Sequence, residues 1–205
     1  MTLRRYAGIT LIEVLVSLGI FSLLALSVAW ILINSIRHNA ILWEQLQTQN
    51  DGRRVLREVV DVARRAETSS IGSYPLVTTT AYELSLYANI DRDSFRERVR
   101  FFANTASNTL QMGVIKPSGN PLAYSSASET ITTIAESVVN DDLNRPIFTY
   151  FDDRYTGVES PLSQPVSTTQ VAVIRVQLEL ERDPSASPVP LRVETTVHVR
   201  NLKRN

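Results

Sequence analysis

The 205-residue chain contains no cysteine, which excludes disulfides, thiolate metal sites and a cysteine nucleophile, and leaves no redox clue to compartment. It contains only two histidines, His38 and His198. A catalytic centre needs acid, base or nucleophile groups that converge. The histidines instead fall on a helix next to an apolar run and on the polar face of a strand, so neither an enzyme nor a cofactor is expected. Excess charge is lacking too: 21 basic residues balance 21 acidic ones. Composition alone therefore points to neither nucleic acid nor an acidic substrate. Proline is absent between Ile9 and Ile71, so nothing in that stretch forces a helix to break.

What is present first is an apolar run. From Ile9 to Ile33 about 25 residues carry a single charge, long enough as an α-helix to cross a hydrocarbon core about 30 Å thick. Arg4 and Arg5 precede the run and only Arg37 follows closely, a bias that keeps the N-terminus cytoplasmic and sends the remainder outward. A secretory signal would have a shorter apolar core followed by small residues. Here the small pair, Ala7-Gly8, comes before the run and closes a short basic leader.

The one charge inside the run is Glu13. An ionised group in a membrane helix costs roughly 2.5 to 3.5 kcal/mol unless it is paired, so Glu13 needs a cation. Cleavage after Gly8 would create one, the α-amino group of Ile9. A neighbouring subunit's amine and the chain's own amine, four residues away on the same helical face, both qualify, and geometry alone does not choose between them. Thr10, Ser17, Gly19, Ser22 and the Ala25/Ala29 pair are small enough to let helices approach closely in lipid.

AGITLIEVLVSLGIF resembles the class III signal of type IV prepilins and type II secretion pseudopilins. The resemblance implies cutting by a membrane-embedded aspartyl peptidase after Gly8, N-methylation of Ile9, and a role for Glu13 in assembly, where it neutralises the terminal amine of a neighbouring subunit. It further implies an assembly platform with its ATPase, other pilins or pseudopilins as partners in a filament, and membrane lipid as the environment before assembly. Two departures stand out. Ile9 occupies a position usually held by phenylalanine, and Trp30 stands where major pilins commonly carry proline, which points away from a major pilin.

Beyond Ile33 apolar residues recur at Ile36, Ala40, Trp43, Leu46, Val55 or Leu56, Val59, Val62 or Ala63, and Ala66, one stripe of a continuing helix. A helix from Ile9 to Ala66 would extend about 85 Å. Arg54/Glu58, Arg57/Asp61 and Asp61/Arg65 are spaced for ion pairs on its solvated side, and Gly52 is a weak spot. After the turn-rich TSSIGSYP the chain reads as short alternating segments. In FRERVRFF, Arg96, Arg98 and Arg100 share one face while Phe95, Val99 and Phe101 share the other. Segments 172–181 and 191–200 alternate likewise and should form a hairpin across DPSASPVP. YELSLYA, TLQMGVI, ETITTIA and PIFTYFD complete six or seven strands.

The expected fold is α+β and pilin-like, a long N-terminal helix on an antiparallel β-sheet head: leader 1–8, membrane helix 9–33, amphipathic continuation 34–67, head 68–205. PIFTYFDDRYTG, VAVIRVQLEL and LRVETTVHVRNL resemble the ends of minor pilins of the PilW type and J-type pseudopilins, subunits of tip or priming complexes. A tryptophan common after the glycine in J-type relatives is missing, as is the C-terminal cysteine pair of many pilins.

Acidic pairs at Asp91/Asp93, Asp141/Asp142 and Asp152/Asp153 lack the spacing of an EF-hand and read as turns rather than metal sites. Arg53/Arg54, Arg64/Arg65 and the arginines of FRERVR invite comparison with phosphate-binding patches, but interleaved acids favour solvated faces over DNA binding. The function expected is a structural filament subunit, a minor pilin or pseudopilin, held in the cytoplasmic membrane and then in a surface pilus or pseudopilus. Its rival is an uncut, single-pass anchored protein with an external binding, adhesion or sensor head.

Overall fold

A computed structural model describes residues 8–182 and 189–199, with the side chains of Arg37, His38 and Ala40 outside the description. The leader through Ala7, most of DPSASPVP and the residues from Arg200 onward also lie outside it. One α-helix, α1, runs from Leu11 to Arg64, and the chain divides into two compact units between Glu44 and Gln45.

In the first unit the apolar side chains of α1 face outward all round: Leu11, Phe21, Leu24, Trp30 and Ile36 are all exposed. Among the described residues, α1 is the helix long and apolar enough to cross a membrane. Ser17, Ser22 and Ser27 sit in this run with their hydroxyls donating to the carbonyls of Glu13, Leu18 and Leu23, one turn back. Their polarity is thus satisfied within the helix.

In the second unit α1 becomes one-sided. Burial begins at Thr48 and Gly52 and continues through Val55, Val59, Ala63 and Ala66, the spacing of one helical stripe. The stripe therefore starts later than periodicity suggested, since Ile36, Trp43 and Leu46 are exposed. Nor does Gly52 act as a weak point. A Cβ there would lie 2.8 Å from Val193 Cγ2 and 2.9 Å from Leu180 Cδ1, so the missing side chain lets helix and sheet approach closely. The helix-surface ion pairs expected at Arg54/Glu58, Arg57/Asp61 and Asp61/Arg65 do not form; Arg57 Nε donates to the Arg53 carbonyl instead.

Two antiparallel sheets complete this α+β, pilin-like architecture. β1 (Leu76–Thr79), β2 (Glu83–Ala88), β3 (Glu97–Asn104), β4 (Thr109–Ile115) and β5 (Thr130–Ala135) follow one another in a five-stranded meander. β6 (Phe148–Phe151), β7 (Val173–Leu180) and β8 (Leu191–His198) form a separate three-stranded sheet. The hairpin foreseen near the C-terminus is β7–β8, in register from Val173 opposite His198 to Leu180 opposite Leu191. β1 is the strand that pattern reading passed over.

The helix stripe and both sheets share one core. Leu84, Phe101 and Leu110 come from the first sheet, and Phe148, Ile174 and Leu178 from the second, all nearly inaccessible. Burying side chains of this size contributes roughly 1.5–3 kcal/mol each before conformational entropy is subtracted. Tyr150 is buried among them with its hydroxyl donating to the carbonyls of Thr80 and Glu83. Burial pushes its phenol upward, with Glu83 adding to the shift.

Candidate processing and assembly site

Gly8, Ile9 and Glu13 occupy the approach to α1 and its first turn, and all three are exposed. Among the described residues nothing approaches within 4 Å of the position a Cβ on Gly8 would occupy. The first turn contains a reciprocal cap. Glu13 N–H donates to Thr10 Oγ1 at 3.3 Å, and Thr10 N–H donates to Glu13 Oε2 at 3.4 Å. Thr-x-x-Glu in this arrangement is a capping box, which satisfies two of the orphan N–H groups at a helix start. The spacing was visible in TLIE, but attention to Glu13 as an unpaired charge passed over it.

This geometry adds a local partner to the two cationic ones already considered. The Glu13 carboxylate is held by the chain's own backbone, in the half of the helix where negative charge is favoured by the dipole. Both hydrogen bonds are long and exposed, so the arrangement orients the carboxylate without closing it to a stronger partner. An approaching amine offers a charge-assisted bond, about twice as strong as a neutral one.

The remaining candidates sit in the head. His198 is exposed on β8, as its pattern implied; the His38 side chain lies outside the described residues. Two of the three arginines of FRERVR are engaged by acids: Arg96, just before β3, pairs with Glu67 at 3.2 Å, and Arg100 with Glu129 at 2.9 Å and Glu83 at 3.8 Å, while Arg98 donates to Ser126 Oγ. The paired acids, Glu129 foremost, raise the Arg100 guanidinium further. Glu129 reaches it across β4 because Gly113, directly opposite Arg100, leaves the space. Phe95 precedes the strand and is exposed, while the true partner of Val99 and Phe101 on the inner face is Glu97.

Glu179 departs from expectation in a similar way. Alternation put it on the polar face of β7, yet it is 1% exposed. It accepts from Arg145 at 2.8 Å and from Gln177 Nε2 at 3.0 Å, while its backbone N–H donates to Asn140 Oδ1. The segment between β5 and β6 covers this face, a long-range arrangement that alternation does not encode. Of the other acidic pairs, Asp142 accepts from Asn108 and Asp152 pairs with Arg154, as turn residues do.

Comparison with known families bears on the N-terminal segment alone. The prokaryotic N-terminal methylation motif matches residues 3–29. The match covers Gly8, Ile9, Glu13 and most of the exposed apolar run, and it supports a type IV pilin-like prepilin signal. Such a signal implies processing by a prepilin peptidase and assembly with other pilins, and is consistent with anchoring in the inner membrane before entry into a surface filament. It belongs to structural rather than enzymatic proteins. No curated protein and no solved structure matches the chain.

Proposed function

We propose that the chain is a minor pilin or pseudopilin, cut after Gly8, N-methylated on Ile9, and built into a filament through its N-terminal helix. The observation that carries this reading is the methylation motif over residues 3–29, set on a helix whose apolar residues from Leu11 through Ile36 stay exposed while the same helix further on is buried in a head. A helix apolar all round requires lipid or other helices around it. Storage in the membrane followed by packing in a filament supplies both in turn.

In this mechanism the membrane segment is 9–33, the leader 1–8 stays cytoplasmic, and the continuation and head, 34–67 and 68–205, face outward. An assembly platform and its ATPase extract the cleaved subunit. The capping box keeps the Glu13 carboxylate at the helix start until the freed amine of a neighbouring Ile9 takes it, which aligns the incoming subunit. The absence of proline from the first 62 mature residues and the resemblance of the last strands favour a minor pilin of the PilW type or a J-type pseudopilin over a major pilin. DNA binding is not favoured, because Glu67 and Glu129 already neutralise Arg96, just before β3, and Arg100 within it.

Coexpression with a prepilin peptidase tests the processing step. Mass spectrometry of the product should show a chain that begins at methylated Ile9, and Gly8→Val should keep the full leader. Wild-type protein that retains its leader in the presence of the active peptidase refutes the reading in favour of an uncut anchored head.

A further inference from the structure

The loop between β2 and β3 brings three carboxylates together. Asp91 and Asp93 are exposed on it, and Glu97 opens β3 beneath them. One carboxylate oxygen from each lies within 4.8 Å of the others. Acidic loops are common, and Asn89, Asp91 and Asp93 do cap backbone N–H groups of Arg92, Asp93 and Phe95 as an ordinary turn would. Glu97 is what a turn does not explain. Its side chain is on the buried face of β3 and the residue is 2% exposed; Oε2 accepts from Ile90 N–H at 3.1 Å, but Oε1 has no hydrogen-bond partner. A buried carboxylate oxygen without a donor or a cation is costly.

Among the described residues no ion pair reaches Glu97. The amine at the cluster is Lys116, just past the end of β4, whose Nζ lies 2.9 Å from Asp91 Oδ2 and also bonds Asp93 Oδ2. One amine thus serves two aspartates and leaves the third acid uncompensated. Three carboxyl groups therefore share one amine.

We propose that Asp91, Asp93 and Glu97 form a calcium site, with the Lys116 amine occupying the cation position when the ion is absent. Calcium takes oxygen ligands at about 2.3–2.6 Å, so two oxygens bound to one ion can be up to roughly 5 Å apart, and this set, all within 4.8 Å of one another, falls inside that span. It accepts carboxylates through one oxygen or both and tolerates irregular geometry, which suits a donor set mounted partly on a loop and partly on a strand. Magnesium demands about 2.0–2.1 Å and near-ideal octahedral order, which a donor set split between a loop and a strand suits less well. Bound calcium would supply the counter-charge Glu97 lacks and displace Lys116 into solvent. The loop would then be tied to the base of β3 by an ion bridging exposed and buried acids.

The test is calorimetric titration of the full chain in detergent micelles with calcium chloride, after chelation, with magnesium chloride as the comparison. One ion per chain should bind, with a dissociation constant on the order of 10⁻⁴–10⁻³ M, and magnesium should bind at least tenfold more weakly. Asp91→Asn and Glu97→Gln should each weaken calcium binding at least tenfold. Both replacements are nearly isosteric, and Glu97→Gln keeps an oxygen for Ile90 N–H, so folding is retained and can be checked by circular dichroism. Lys116→Met distinguishes an ion site from a salt bridge: removal of the competing amine should tighten calcium binding several-fold. Absence of saturable binding at 10⁻² M calcium, equal binding by the Asp91 or Glu97 variants, or unchanged or weaker binding by Lys116→Met would each overturn the proposal.

Discussion

Gly52→Ala is a substitution whose sign separates two accounts of the same glycine. In an isolated helix, alanine is favoured over glycine by about 1 kcal/mol. In this protein the new Cβ would sit 2.8 Å from Val193 Cγ2 and 2.9 Å from Leu180 Cδ1, inside any normal carbon contact. Overpacking of this kind costs about 1–3 kcal/mol, because neighbouring side chains must leave their rotamers or the helix must move off the sheet. Taking about 2 kcal/mol for two contacts and subtracting the helix gain leaves a net loss of about 1 kcal/mol. For a chain of this size that corresponds to a drop of about 2–4 °C in melting temperature. Near-ultraviolet circular dichroism of the full chain in detergent would follow the head's tertiary packing. Val193→Ala removes the closer methyl groups, so the double variant should be less destabilised than the two single changes combined, with a coupling of at least about 0.5 kcal/mol. A Gly52→Ala protein that melts higher than wild type would show that only helix propensity operates there, and the close helix–sheet approach would be refuted.

Other substitutions probe the remaining joints. Tyr150→Phe deletes the hydroxyl that donates to Thr80 and Glu83 and should lower unfolding stability by about 0.5–1.5 kcal/mol in denaturant titration, the usual net value of a hydrogen bond. Arg145→Ala should destabilise the β6–β7–β8 sheet by about 1–3 kcal/mol, because Glu179 is left buried with only neutral donors; Arg145→Lys should recover part of the loss in the same titration. Gly113→Ala should push Glu129 away from Arg100, since the added Cβ would meet its Oε1 at 2.1 Å. An Arg100→Ala change made on top of it should then cost less than it does in the wild type. Thr10→Ala should reduce helicity at the start of α1, with amide exchange faster at Glu13, corresponding to about 0.5–2 kcal/mol of local helix stability.

What could be read from residues alone was the element inventory. Alternation located β2 through β8, although only some strands, β3 and β8 most plainly, bury every second residue; β2 is buried on both faces and Ile131 of β5 is exposed. The apolar run from Ile9 gave α1. β1 escaped because four residues, Leu-Val-Thr-Thr, hold too little alternation to stand out from the turn before them. The separation into two sheets was hidden as well, since alternation specifies a strand's faces and not its neighbour. Ile36, Trp43 and Leu46 extended the helical stripe too far because apolarity does not distinguish a core from a surface left exposed. Glu179 was misjudged for the opposite reason: it is a charged residue whose burial depends on a distant segment, residues 136–147, and Glu97, buried at the start of β3, went unremarked. At the N-terminus the motif was legible at once, as the matching family confirms for residues 3–29. The capping box required seeing that Thr10 and Glu13 are three apart at a helix start.

The central claim is that the Glu13 carboxylate, oriented within the chain until cleavage, admits a subunit to the filament by neutralising its neighbour's new amine. Filaments sheared from cells that express Glu13→Ala, with cleavage verified by mass spectrometry of the membrane pool, test it most directly. The account predicts a fully cleaved variant that stays in the membrane and is missing from the sheared fraction. Wild-type amounts of the variant in that fraction would contradict it.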